Sequence, residues 1–251
     1  MAIRTKFLFR SLSRLGAVFF ILTTLLFLTG SDRTSEIKVI ELKGPPAVII
    51  MADGSTPPVR VGDLLPLGAT VKTPADSTLK LLFANGALLI LQPRSQLRLA
   101  LFASKDTVES HKNINARASE SSESTTNLDL KSGTVFVDVP TLKKESKFEI
   151  TTPLGIAGVR GTRFYVNARK DRTAVGVAEG MVVTTSLLGE STKVGANQAI
   201  ALTPTGRAPA TANEIQYIQT LDAAFGGIPH PTPTPIQKAT PKSRAGYQVS
   251  E

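Results

Sequence analysis

Residues 148–166 read Phe-Glu-Ile-Thr-Thr-Pro-Leu-Gly-Ile-Ala-Gly-Val-Arg-Gly-Thr-Arg-Phe-Tyr-Val. A strand-like run (Phe148, Ile150) meets Pro153. Three glycines spaced by three follow, at Gly155, Gly158 and Gly161. A second run then alternates, with Thr162, Phe164 and Val166 on one side and Arg163 and Tyr165 on the other. Period-two patterning on both sides of a glycine-rich breaker predicts two strands joined by a tight turn. Arg160 falls inside that turn. The stretch sets the expectation for the whole chain: β-structure, with glycines where backbones pass close to each other.

Outward from this stretch, the rest of the chain repeats the theme. Short apolar runs separated by Gly, Pro, Asn and Asp mark candidate strands at 39–42, 47–51, 59–61, 64–67, 70–73, 77–83, 87–92 and 97–102. Asn85-Gly86 between two apolar runs is a hairpin signal, since both residues tolerate positive φ. Further strands are expected at 128–130, 134–139, 172–178, 181–186, 192–194 and 199–202. One module recurs loosely. Leu42-Lys43-Gly44, Leu130-Lys131-Ser132-Gly133 and Ala178-Glu179-Gly180 each precede an apolar strand. Turn glycines at similar offsets suggest either short strands coiling as stacked rungs or a sandwich of similar hairpin units. The fold class is all-β, a twisted solenoid-like or sandwich stack with an N-terminal hydrophobic helix, one C-terminal helix and a Pro-rich tail.

Four boundaries follow. Residues 1–31 combine a basic start (Arg4, Lys6, Arg10, Arg14) with the charge-free apolar run 15–28, the pattern of a signal peptide or signal anchor. Either form carries the rest of the chain out of the cytoplasm, because the positive flank stays inside. The inner membrane is a partner if this segment is uncleaved. The β domain spans 38–202, with 103–127 expected to be a flexible, solvated insertion because it is rich in Ser, Thr, Asn and charge. Residues 211–226 form an amphipathic helix, with Ile215, Ile218, Leu221, Ala224 and Phe225 at helical spacing. It either packs on the β domain or offers its stripe to a partner. Residues 227–251, rich in Pro and Thr, form a disordered tail.

Composition excludes several chemistries. There is no cysteine, so there are no disulfides, thiolate metal sites or cysteine nucleophile. The two histidines, His111 and His230, lie in segments with polar or Pro-rich neighbours and do not suggest a metal site or a triad. The net charge of +9 is scattered and lacks interleaved aromatics, which argues against nucleic-acid binding. Asp63, Asp76, Asp129, Asp138, Glu149 and Glu179 offer carboxylates, but no spacing singles out the pair a glycosidase needs. The glycine series lacks the lysine and following helix of a phosphate loop. No cofactor is expected.

The motif Phe148-x-Ile150-x-Thr152-Pro153, then Ala157-x-Val159-Arg160-Gly161-Thr162-x-Phe164-x-Val166, then Val175-x-Val177-x-Glu179-Gly180-x-Val182, resembles the signature of the FecR-type domain. Upstream, Gly62-Asp63, Gly68, Val71-x-Thr73, Leu79-x-Leu81, Asn85-Gly86, Leu89-x-Leu91 and Pro93 match that pattern too. The resemblance covers about residues 40–202. It implies a periplasmic β domain from a regulator that joins a sigma factor to an outer-membrane transporter. Only 14 residues precede the apolar run here, too few for the cytoplasmic sigma-binding domain. The C-terminal helix and tail also differ from the domain that contacts the transporter in that family.

Three readings remain: a non-enzymatic binding or scaffold protein of the bacterial envelope, a membrane-anchored signal-transduction component, and a glycan-binding or carbohydrate-active module. The partner is an envelope protein or a glycan. The motif residues to place are Arg160, Gly161, Thr162, Glu179 and Gly180. Arg160 either presents its guanidinium to a carboxylate partner or locks the turn, pairing with Glu149 or Glu179 or donating to turn carbonyls. The structural role is the expected one, with loss of folding on its removal. Thr162 either contacts a ligand or caps the turn.

Overall fold

The computed structural model describes residues 36–111, 113 and 119–230. The signal or anchor segment, the N-terminal helix and the tail from residue 231 lie outside the described residues. The described residues form fifteen strands, one α-helix and a short 3-10 turn at Val108–His111, and the strands join into one continuous sheet that curls back on itself.

Two halves of that sheet face each other. The first half holds β1 (Ile37–Lys43), β4 (Thr78–Phe83), β5 (Leu88–Leu91), β10 (Thr162–Ala168), β11 (Thr173–Glu179), β14 (Gln198–Thr203) and β15 (Gly206–Pro209). The second holds β2 (Val48–Ile50), β3 (Thr70–Lys72), β6 (Gln96–Ala103), β8 (Lys147–Thr152), β9 (Gly155–Val159), β12 (Met181–Ser186) and β13 (Ser191–Gly195). The long strand β7 (Thr125–Val139) belongs to both. Its first part pairs antiparallel with β6 and parallel with β8. Its last part lies between β5 and β10. The inner faces meet at Phe83, whose ring packs edge-on against Phe102 at 5.3 Å and Phe148 at 6.3 Å.

The chain changes halves repeatedly, typically after one hairpin, so the fold has features of both a sandwich and a coil of rungs. The recurring sequence module marks these crossings. Gly44, Gly133 and Gly180 are all crossover residues with φ of 85°, 93° and 85°. Each touches a second crossover. A Cβ on Gly44 would sit 1.9 Å from the Asp76 carbonyl oxygen, one on Gly133 would sit 2.2 Å from Ser95 Oγ, and one on Gly180 would sit 2.4 Å from the Gly161 carbonyl oxygen. Glycine is required there twice over, by backbone conformation and by space.

Several expectations change. Residues 155–159 are a strand, β9, rather than part of a turn; their glycines have weak β propensity, and pairing to β8 and β12 overrides it. The runs at 128–130 and 134–139 are one strand, because Gly133 bends β7 without ending it. The run at 64–67 makes one isolated bridge, Leu64 to Lys38, the bridge near 59–61 falls on Pro58 instead, and β15 follows the strand expected to close the domain. The 103–127 segment is not a solvated excursion over its described residues. Glu120 is buried and accepts from Ser124 Oγ (2.6 Å) and the Lys143 N–H (2.5 Å). Asp106 accepts from the N–H groups of Ser121 and Ser122. His111 Nε2 lies 2.9 Å from the Ala84 carbonyl. Internal partners replace water for these polar side chains, so their polarity does not mark exposure.

The helix α1 (Ala212–Ala224) packs on the outer face of the first half. A capping box of Thr211 and Glu214 starts it. Glu214 also takes a two-pronged contact from Arg172, at 2.6 and 2.8 Å. Tyr217 meets the rings of Phe136 and Tyr165, and burial pushes the Tyr165 hydroxyl pKa up. Gly176 lets the layers close, since a Cβ there would lie 2.3 Å from Tyr165 and 3.0 Å from Ile218. Residues 228–230, expected to be disordered, continue along this face.

The hydrogen bonds from Arg172 hold the Glu214 carboxyl below its ordinary pKa. A lowered folded-state value adds stability that is complete above the unfolded pKa of about 4.3 and is lost as pH falls through the folded value. Glu214→Gln is therefore expected to flatten the acid limb of a stability–pH curve followed by denaturant midpoint. Gly133→Val is expected to cost about 3 kcal/mol or prevent folding, read by the same denaturation.

Candidate functional site

The predicted motif residues divide between a seam and a groove. Gly161 and Gly180 form the seam where two crossovers touch. Thr162 is buried beside them, and its hydroxyl donates to the Met181 carbonyl at 3.0 Å. Glu179 is exposed and sits opposite Arg163 in the β10–β11 register. Arg160 is exposed and donates to the backbone carbonyls of Lys144 and Ser146. Its ion pairing to Glu149 or Glu179 is absent among the described residues.

The residue that sequence reasoning passed over is Arg163. Only 3% exposed, it lies between Asp138 (Nη2 to Oδ2, 3.1 Å) and Asp222 of α1 (Nη1 to Oδ1, 2.6 Å). Nη2 also donates to the Ile228 carbonyl at 2.7 Å, and the guanidinium stacks 5.1 Å over Phe225. His230 Nδ1 lies 2.5 Å from the other oxygen of Asp138. Burial works against the charge on Arg163, but the two aspartates outweigh it and raise its pKa. The sequence signal was faint: an arginine alternating with apolar residues on a strand reads as solvent-facing unless something covers that face.

Among the described residues, the second half of the sheet has no such cover over β8, β9 and β12. There a shallow groove of about 520 Å³ is lined by Glu149, Ile156, Gly158, Val159, Arg160, Met181, Val183 and Thr185. Ile156, Met181 and Val183 keep 40%, 48% and 40% of their surface exposed. In the register, Gly158 lies between Glu149 and Val183, and Val183 pairs with Lys193. The floor is thus apolar and glycine-lowered, with charges at its edges. A second hollow of about 360 Å³ lies between α1 and strands β1, β4 and β5. Its charges already pair with each other: Glu41 binds Lys43 at 2.6 Å and Lys80 at 2.8 Å, and those hydrogen bonds lower its pKa.

The carboxylates considered for acid–base chemistry have structural partners in several cases. Asp138 is held by Arg163 and His230, Asp129 by Arg98 and Lys131, and Asp63 accepts from the Arg60 N–H. Among the described residues, no cluster of three or more His, Asp or Glu side chains could hold a metal ion, and no helix is long and apolar enough to cross a membrane.

Residues 69–183 match the family described as FecR protein, so the resemblance drawn from the motifs holds. The matched stretch begins just before β3, ends within β12, and includes Gly133, Gly161, Gly180 and most of the groove floor. Two crystal structures of a candidate anti-sigma factor from Parabacteroides distasonis are similar to this chain, at 14% identity and a TM-score of 0.43. The alignment covers 59% of this chain and 62% of that one, so this chain spans less than two thirds of the length of the protein it resembles. No curated protein matches.

Arg160 and Arg163 differ sharply in expected cost. Arg160→Ala loses exposed bonds to carbonyls and should cost about 1 kcal/mol or less. Arg163→Ala removes the buried guanidinium that offsets the Asp138 charge and should cost about 3–5 kcal/mol. Equilibrium urea denaturation of both variants checks this, and the reverse order would refute the assignment.

Proposed function

We propose that this chain, which carries a FecR domain over residues 69–183, is a non-enzymatic binding or scaffold protein of the bacterial envelope. The observation that carries the reading is the uncovered groove around Gly158. One outer sheet face is sealed by the chain's own helix, while the other keeps three large apolar side chains in solvent. Apolar surface left open within a matched domain is the mark of an interaction face. The groove supplies two charged side chains and one threonine, few polar groups for a sugar's hydroxyls. A protein partner therefore suits it better than a glycan.

A second reading is favoured by the basic start and the apolar run 15–28: a membrane-anchored signal-transduction component that receives a cue through the β domain. In both readings the β domain works outside the cytoplasm.

Cell fractionation with mass spectrometry of the mature N-terminus tests this. The chain is expected in the periplasmic or membrane fraction. Cleavage near Ser31 would favour the free scaffold, and an intact 15–28 run the anchored signalling form. Recovery of the full-length chain in the cytoplasm would overturn both.

A further inference from the structure

We propose that the groove over β9 and β12 receives an amphipathic helix of a partner protein, with acidic residues flanking its apolar stripe. This deepens the binding reading above and rests on it.

The first argument is the chain's own precedent. On the opposite outer face, α1 lies across β10 and β11 with Gly176 beneath it. That helix has acidic residues at Glu214 and Asp222 and no basic residue between Ala212 and Ala224. Its acids meet Arg172 and Arg163 on the sheet. The fold thus already joins an acid-bearing apolar helix to a sheet face with a glycine in its floor and arginines at its edges.

The groove has the same parts without the helix. Gly158 lies in the floor between strands β8 and β12. Ile156, Met181 and Val183 supply the apolar surface. Cations gather at the rim: Arg160 lines the groove, Lys193 pairs beside Val183, and Lys147 lies two residues before Glu149 on the same face of β8. Lys143 and Lys144 are exposed in the adjoining turn, with one acid, Glu145, exposed beside them. Glu149 is the acid within the lining, so the surroundings favour a negatively charged occupant. The floor from Met181 to Thr185 is about 13 Å long at roughly 3.3 Å per residue, the length of about nine helical residues at 1.5 Å each.

Gly158 also gives a clean test. Its φ is not left-handed, and a Cβ there meets nothing closer than the Val183 carbonyl oxygen at 3.9 Å. Gly158→Leu should fold normally and fill the groove, with folding checked by thermal melting. The probe is a synthetic 16-residue helical peptide with leucines at helical spacing and glutamates at both ends. Its binding to the full chain is followed by fluorescence anisotropy beside a lysine-ended counterpart and phosphatidylglycerol vesicles. The glutamate peptide is expected to bind saturably, and the lysine peptide at least tenfold more weakly. Gly158→Leu should weaken the glutamate peptide at least tenfold, and the double variant Lys147→Glu, Lys193→Glu several-fold. Equal binding of the two peptides, no peptide binding at millimolar concentration, unchanged binding by Gly158→Leu, or recruitment to vesicles alone would each overturn the proposal. Cell location is read separately, so failure here leaves the envelope assignment to its own test.

Discussion

Glycine–backbone contact at the crossovers is the constraint from which the rest of this structure follows. A chain that repeatedly changes from one half of a curled sheet to the other must turn sharply, and successive turns stack. At each seam two backbones approach to a distance that excludes a Cβ: Gly44 on Asp76, Gly133 on Ser95, Gly180 on Gly161. This close approach fixes which strands become neighbours. It also lets β7 pass from one half to the other without breaking, with β5, β6, β8 and β10 all pairing to it. Aliphatic side chains, with Phe83, Phe102 and Phe148 in ring contact, then fill the space between.

The second organising interaction is electrostatic. Burying Arg163 and Asp138 together is costly, and the cost is met only when Asp222, Ile228 and His230 complete the cluster. The cluster orients α1 rather than merely adding stability. Combined with Arg172 and Glu214 at the other end of the helix, it gives α1 two fixed points along its axis. The two outer faces differ as a result: one is sealed by charge pairing, and the other is apolar with cations at its rim.

Much of this was legible in the sequence because it rests on local rules. Alternation in 162–166 gave a strand, the spacing of Ile215, Ile218, Leu221 and Phe225 a helix, and the repeated Lys-Gly, Ser-Gly and Glu-Gly steps turns. What stayed hidden depends on partners distant in sequence. Arg163 looks solvent-facing until a helix 59 residues later covers it. Glu120 and Asp106 look like loop residues until their hydrogen bonds are counted. Gly155 and Gly158 look like turn residues because pairing on both sides of β9, not their own propensity, makes them a strand. The groove was half legible: Arg160 and Gly158 stood out, but Met181 and Val183 read as one alternating strand among many.

The order in which the chain is made gives the Arg163 cluster a further meaning. Asp138 and Arg163 emerge well before Asp222, Ile228 and His230, so a growing chain carries the cluster half-built. Until residues 212–224 have been synthesised, Phe136 and Tyr165 have no helix above them. The first half of the sheet is then a bare, charged platform. The charge cluster is complete only with the last described turn of chain.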